Sequence, residues 1–372
     1  MQYLGQVINP NRETTIMSKK NFVSFAVAAA VAMSVAGVSG TADAKKVKWK
    51  MHSAWGAAVP HLGSSGVRFS KVIKRLSGGD FTMKFFEPGA LVPGNEGFDA
   101  TSKGSVEAAW TTAGYDVGKY PALAFFTAVP FGPSMGEYFA WKKFGGGDVI
   151  QKRIYAKHNI HQQDCFAIGP ETSGWFKEEI KDLKQLRGLK MRFFGLGARV
   201  MQKIGVSTQL LAGGDIFPAL EKGVIDATEF SMPAMDIKYG FYQIAKNNYF
   251  PGWHQQVSVS QLLINKAKWD SLSDQHQAMV EAGCGDSIHN TYAETEYVNP
   301  FAMVEMGTKH GVKVRRWNDD QLAVFEKSWN EVVAEDSAKD PLFKEVNDSY
   351  SKFRASYKIW GAAQSLKPTY LK

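Results

Sequence analysis

Cysteine is nearly absent, with two residues in 372. That scarcity excludes a disulfide framework and any zinc site built on several thiolates. Whether Cys165 and Cys284 pair stays open at this level, because pairing depends on how close their Cα atoms come. No G-x-S-x-G, H-E-x-x-H, C-x-x-C or G-x-x-x-x-G-K-S/T pattern occurs, so the known signatures of a nucleophile elbow, a zinc-protease helix and a phosphate loop are missing. Gly195-Leu196-Gly197 begins like a dinucleotide-binding loop, but Val200 stands where the third glycine belongs. No period of repeat-protein length stands out. Apolar material is not scarce: the chain is 44% hydrophobic and 13% aromatic, enough to bury cores in about two domains. The formal net charge of +8 suits anionic partners, although scattered surface lysines produce the same total.

The N-terminus has the pattern of an export signal. Basic Lys19 and Lys20 precede an apolar run from Phe22 to Val38, and Ala42-Asp43-Ala44 forms an A-x-A cleavage site. Residues 1–16 read as an extension upstream of a second start at Met17. Cleavage after Ala44 is expected to leave a periplasmic chain beginning at Lys45, with no nucleic-acid role.

Beyond Lys45 the grammar is that of an α/β protein. Val47 to His52 alternates as a strand, Pro60 and Gly63 open a helix that runs to Leu76, and Phe81 to Phe86 reads as a second strand. A short helix near Asn95 to Lys103 leads to a third strand, Val106 to Thr111, completing a pattern that predicts parallel pairing. Strands are expected again at Phe166–Gly169, Leu189–Phe193, Val206–Leu211, Ile225–Phe230 and Gln256–Ile264. Helices follow at Ser273–Asn290 and Tyr292–Lys309, then one capped by Asn318, then Leu342–Trp360. His158, His161 and Cys165 have a metal-like H-x2-H-x3-C spacing, which two surface histidines and a buried thiol produce equally well.

Several stretches, taken in order, are specific. They are Phe86-Glu87-Pro88-Gly89-Ala90-Leu91-Val92-Pro93-Gly94 with Gly104 to Trp110, Leu183 to Arg192, and Ala219 to Glu229. Behind an export signal they resemble the extracytoplasmic solute receptors of TRAP transporters, the DctP family. Phe250-Pro251-Gly252-Trp253 is similar to the branch that takes 2-oxo acids of the pyruvate type. The resemblance spans about residues 45–360. It implies a two-domain clamp with mixed sheets and a helical C-terminal tail. Expected boundaries are 45–167 with 227–266 for one domain, 168–226 with 267–330 for the other, and 331–372 for the arm. It also implies a small organic acid as ligand, a permease of one small and one large membrane subunit as partner, and no catalysis.

Residues carry over to that expectation one at a time. Arg192 ends a strand in the Lys-Met-Arg motif, and its guanidinium fork is expected to hold both oxygens of a carboxylate. Glu229, the Phe230 carbonyl and Gln255 are expected around a cation, Na⁺ or Ca²⁺. Glu171 and Gln255 depart from the oxo-acid branch, which has Gln and Glu in these places; the acid moves across the pocket while the charge is unchanged. A carboxylate opposite the ligand's own carboxylate calls for a cation or a ligand donor between them. Trp55, Tyr115 and Trp175 are candidate pocket walls, with Trp110 and Phe131 as further aromatic candidates. The competing readings are an aromatic acid, an amino acid or a sulfonate as ligand, or a secreted enzyme with Glu171 or Glu229 as general base. The C-terminal helix resembles a dimerising arm and is equally an ordinary packing helix.

Overall fold

A computed structural model describes residues 46–364. The expected export segment with its cleavage site, and the last eight residues, lie outside the described residues. In chain order the strands are β1 (Val47–Ser53), β2 (Phe81–Phe86), β3 (Ala108–Thr111), β4 (Ile160–Ile168), β5 (Gly174–Phe176) and β6 (Lys190–Arg192). They continue as β7 (Ser207–Gln209), β8 (Ala227–Thr228), β9 (Asn247–Phe250), β10 (Ser258–Asn265) and β11 (Lys313–Arg316).

Two mixed sheets result. The first has the order β2-β1-β3-β10-β4, and the second β11-β9-β5-β8-β6-β7. β1 runs parallel to β2 and to β3, joined by the helices Gly63–Leu76 and Gly97–Ser102, as a strand–helix alternation demands. β10 enters between β3 and β4, antiparallel to both, and all eight of its residues are buried. Within the helix Gly63–Leu76, Phe69, Val72 and Ile73 form the buried side, whereas Leu76 is 44% exposed.

The expected domain ranges divide the sheets differently. β8 and β9 fall within 227–266, the segment assigned to the first domain, yet both pair in the second sheet. Only β10 of that segment belongs to the first sheet. The two expected helices at Ser273–Asn290 and Tyr292–Lys309 are one helix, Asp274–His310, of 37 residues and roughly 55 Å. Ser273 caps it by accepting from the His276 N–H. Three of its residues, each one turn apart, reach out in succession. Thr291 accepts from Ala167 on β4, Thr295 from Gly169 beyond it, and Asn299 from Ala234 in the helix Pro233–Tyr239.

Asn318 and Gln321 form a reciprocal capping box on the helix Asp319–Lys339. The helix Pro341–Gln364 packs through Phe343, Val346 and Tyr350, and its far end leaves Ile359 82% and Trp360 59% exposed. No described helix is long and apolar enough to cross a membrane.

The metal reading of His158, His161 and Cys165 is overturned. Cys165 on β4 is joined to Cys284 of the helix Asp274–His310 in a disulfide, both residues fully buried. His161 stacks on Trp269 with ring centroids 3.6 Å apart. Burial pulls the His161 imidazole down to about 4; Lys152 and Lys266 act in the same direction and Asp270 opposes them. Because the folded value lies below the unfolded 6.5, the unfolded chain binds more protons in that window. His161 therefore costs stability progressively as pH falls from about 6.5 to about 4, by about 2 kcal/mol for a partly exposed ring. A His161→Phe variant should show a flatter pH dependence of its urea midpoint across that window. An unchanged pH profile would contradict this assignment.

Candidate functional site

The chain passes between the two sheets three times: through residues 169–173 after β4, through residues 251–257 before β10, and along the helix Asp274–His310 between β10 and β11. The first two crossings lie side by side. The Glu171 N–H donates to the Gln255 carbonyl at 3.1 Å, and the Ser173 N–H to the Tyr249 carbonyl at 2.7 Å. A Cβ on Gly252 would overlap the Glu171 carbonyl, so glycine is what permits this approach. Glu171 is thereby brought to one place with His254 and Gln255, more than eighty residues further along the chain, and all three are buried.

Arg192 comes from the second sheet. β6 and β8 are adjacent and parallel, with Arg192 opposite Thr228, so Glu229 emerges beside the guanidinium. Arg192 Nη1 donates to the Glu229 carbonyl at 2.7 Å and to Glu229 Oε1 at 2.9 Å, while Nε donates to the Leu211 carbonyl at 3.3 Å. The Phe230 and Phe194 rings lie 5.3 and 5.8 Å from the guanidinium carbon. Among the described residues Nη2 alone has no protein partner. The expected fork is thus mostly engaged by the protein, and a ligand carboxylate would meet the Nη2 end alone.

Arg192 faces a cavity of ≈ 30 Å³, room for about two water molecules. One side is formed by Trp55, Leu62, Thr112, Tyr115 and the β10 serines Ser258 and Ser260. Glu171, Phe194, Phe230, Ser231 and Gln255 line the other. Of the residues expected from sequence, Trp55, Tyr115, Glu171, Arg192, Phe230 and Gln255 meet here. Glu229 sits behind Arg192 and does not line the cavity. Trp175 lies elsewhere: on β5, fully buried, it donates from Nε1 to Asp236 at 2.7 Å and packs on Phe241. Trp110 is core, stacked 4.5 Å from Phe166, and Phe131 stacks on Trp253 outside the cavity.

The electrostatics centre on residues the cavity partly conceals. Glu171 Oε1 accepts from Ser231 at 2.8 Å, and Glu229 Oε1 accepts from Arg192 and from the Phe194 N–H. Glu171 Oε2, Glu229 Oε2, Gln255 Oε1 and both His254 ring nitrogens are buried without a hydrogen-bond partner among the described residues. His254 Nε2 stands 3.7 Å from Glu171 Oε2 and 3.5 Å from Glu229 Oε2. Burial pulls the His254 imidazole down, but the two carboxylates outweigh it and push it up to about 9. Burial pushes Glu171 up to about 7, Glu229 adding to it, against His254 and Ser231. Burial acts in the same sense on Glu229, yet Arg192, His254 and the Phe194 N–H hold it below the usual carboxylate range. A buried set of free oxygens beside a partnered arginine fits a bound anion with a cation next to it.

Sequence reasoning missed His254 and Phe194. His254 had one signal, its place between Trp253 and Gln255 in a run already singled out. Phe194 had none; its role follows from Gly114, where an added Cβ would overlap the Phe194 ring. The ring also meets Tyr115 edge-on at 5.9 Å, closing the cavity where the two sides touch.

A two-sheet α/β receptor with a buried arginine between its halves is the class these features define. Residues 52–340 match the family described as bacterial extracellular solute-binding protein, family 7 (DctP). The chain belongs to that family: it is a periplasmic solute receptor of a TRAP transporter, working with membrane permease components, and the family consists of binding proteins rather than enzymes. It is 33% identical over 321 residues to a monocarboxylate 2-oxoacid-binding periplasmic protein of a Nostoc species, covering 86% of this chain and 87% of that one. A TRAP solute-binding protein of Bordetella bronchiseptica, solved as a dimer with copurified calcium and picolinate, is 33% identical with a TM-score of 0.83, over 86% of this chain and 95% of that one. One from Pseudoalteromonas atlantica, with sodium and pyruvate bound, is 26% identical with a TM-score of 0.82, over 87% and 100%.

The Gly114–Phe194 contact makes a specific prediction. Gly114→Ala should lower stability by about 1–3 kcal/mol through overpacking. In a Phe194→Ala background the same change should cost almost nothing, as read from urea unfolding of the four proteins. An equal cost in both backgrounds would show that Phe194 is not what Gly114 accommodates.

Proposed function

We propose that the cavity captures a small 2-oxo or 2-hydroxy monocarboxylate, with the carboxylate on Arg192 Nη2 and a metal cation beside it. The observation that carries this reading is a guanidinium 1% exposed, facing an internal space, with one nitrogen end uncommitted. A charge-assisted bond there contributes roughly 1.5–3 kcal/mol. Trp55, Tyr115 and Phe230 wall the ligand, and the small free volume favours a compact acid over a ring. Glu171, Glu229 and Gln255 supply oxygens to the cation, with the Phe230 carbonyl as a further donor. The relatives that hold pyruvate with sodium, or picolinate with calcium, support the pairing of acid and cation. Each sheet is the core of one lobe, and the lobes close on the ligand about the crossings at 169–173 and 251–257.

The test is thermal unfolding of ligand-stripped protein, purified after export, with a mass spectrum expected to start at Lys45. Pyruvate, lactate, picolinate, amino acids and sulfonates are added with and without Na⁺ and Ca²⁺. A ligand at 100 times its Kd should add about 2.7 kcal/mol. Monocarboxylates should stabilise the parent and not Arg192→Ala, and should reduce the radius of gyration. Stabilisation by none of the acids, or equal stabilisation of Arg192→Ala, would refute the reading.

Through its C-terminal arm the receptor forms a homodimer. Ile359 and Trp360 project from the end of the helix Pro341–Gln364, and a groove of ≈ 670 Å³ lies beside it, lined by Trp329, Val333, Tyr350 and Tyr357. Exposed apolar residues of this size next to an open groove suit a second copy of the same helix. Light scattering should give twice the chain mass for the parent and a monomer for Ile359→Glu/Trp360→Glu. A monomeric parent would disprove it.

A further inference from the structure

We infer that Phe194 sets the length of acid the receptor accepts, by closing the cavity against a second, larger pocket that fits the tail of a longer 2-oxo acid. This rests on the monocarboxylate reading above and names the residue that limits it. The cavity before Arg192 has ≈ 30 Å³ of free space. Two of its aromatic walls are backed by packed side chains: Trp55 meets Phe166 edge-on at 5.6 Å, and Phe230 meets Tyr239 edge-on at 4.7 Å. Phe194 is backed differently. Its ring lies against Gly114, where a Cβ would overlap it. Gly114 in turn lines a pocket of ≈ 300 Å³, together with Phe193 and Gly195, the residues on either side of Phe194 in the chain. The ring, only 8% exposed, therefore stands between the two spaces.

The partition is built from both lobes. Gly114 lies in the short 3-10 helix Ala113–Asp116 that follows β3 of the first sheet, and Phe194 follows β6 of the second. The backbone of Phe194 is held independently of its ring, because its N–H donates to Glu229 Oε1. The side chain can then be shortened without withdrawing that donor from the Arg192–Glu229 pair. Val117 and Pro121 from the first lobe and Leu196 and Leu210 from the second give the larger pocket apolar sides. Among the described residues its two charged lining groups, Arg199 and Asp336, are paired with each other at 3.0 Å. Such a space suits an aliphatic tail and offers no unpaired cation to a second carboxylate. An apolar site discriminates by about 10- to 200-fold for each methylene it can or cannot bury. With the ring in place each added carbon counts against the acid; with it removed, the tail has the larger pocket to enter.

The experiment is calorimetric titration of the ligand-stripped receptor, in Na⁺ and Ca²⁺, with pyruvate, 4-methyl-2-oxopentanoate and 2-oxoglutarate. The parent should bind pyruvate roughly tenfold or more tightly than 4-methyl-2-oxopentanoate. In Phe194→Ala the ratio of those two affinities should move toward the longer acid by roughly a hundredfold, and 2-oxoglutarate should not share the gain. Ala198→Phe refills the larger pocket; alone it should bind pyruvate as the parent does, and combined with Phe194→Ala it should remove most of the gain. That reversal separates entry into the pocket from a general loosening of the cavity. Phe194→Leu, checked for folding by circular dichroism, should give a smaller shift in the same direction and guards against an alanine variant that fails to fold. A parent that takes both monocarboxylates equally overturns this inference while leaving the monocarboxylate reading intact. So does a ratio unchanged in both Phe194 variants, a gain that Ala198→Phe does not reverse, or an equal gain by 2-oxoglutarate. A parent that binds none of the acids overturns both.

Discussion

The pairing of Arg192 with Glu229 is the constraint around which the site is organised. Both side chains are at most 1% exposed, and an ion pair removed so fully from water stands only when its remaining donors and acceptors are also met. Here they nearly are. The guanidinium has the Glu229 carbonyl and the Leu211 carbonyl besides the carboxylate, and the carboxylate has the Phe194 N–H besides the guanidinium. The pair thus ties the end of β6 to the end of β8 and fixes the loop that carries Phe194. What is left over is one nitrogen end of the arginine and one oxygen of the glutamate, the latter 3.5 Å from His254 Nε2.

The second determinant is that two of the chain's three passages between the sheets run side by side in hydrogen-bond contact. A crossing segment belongs to neither sheet, so its side chains are free of the alternation that commits strand residues to core or solvent. Glu171, His254 and Gln255 all sit on such segments. Their burial comes from the closeness of the two segments, which Gly252 makes possible. Polar side chains buried in this way keep unmet hydrogen-bonding capacity, which is costly in a packed core and useful in a binding site.

How much of this could be read from the chain depended on the kind of signal involved. Phe81–Phe86 was legible because a run with Phe81, Thr82, Phe85 and Phe86 is bounded by Ser-Gly-Gly-Asp and Glu-Pro-Gly turns, and Asn318 because a cap precedes an amphipathic helix. β5, β9 and β11 were invisible: at three or four residues each they are too short for a period, and they form only through pairing with distant segments. The same logic governs the site. Arg192 and Glu229 lie in stretches that resemble a family, so their positions were expected. Trp175 looked like a pocket wall, yet its indole is committed to Asp236, whose carboxyl burial above all drives far up. His254 was missed because its partners come from residues 171 and 229, a separation no local spacing encodes. β8 and β9 pair in the second sheet although the expected ranges group them with the first for a related reason: sheet membership is decided by register with partners, not by where a segment falls in the chain.

The helix Asp274–His310 limits how the molecule can move. Thr291, Thr295 and Asn299 tie it successively to the first sheet, to a crossing and to a helix on the far side of that crossing. A rod fastened along its length cannot act as a free axle; relative displacement of the ends must be taken up as torsion or bending somewhere along it. Pro300 directly follows Asn299 and has no N–H to give to the carbonyl of Glu296, so the rod is missing one of its own internal struts at that turn. Bending therefore costs least over the turn from Glu296 to Pro300, between the ties at Thr295 and Asn299, while both ends of the helix stay fastened, one by the Cys165–Cys284 disulfide and the other by Lys246, which donates to the His310 carbonyl.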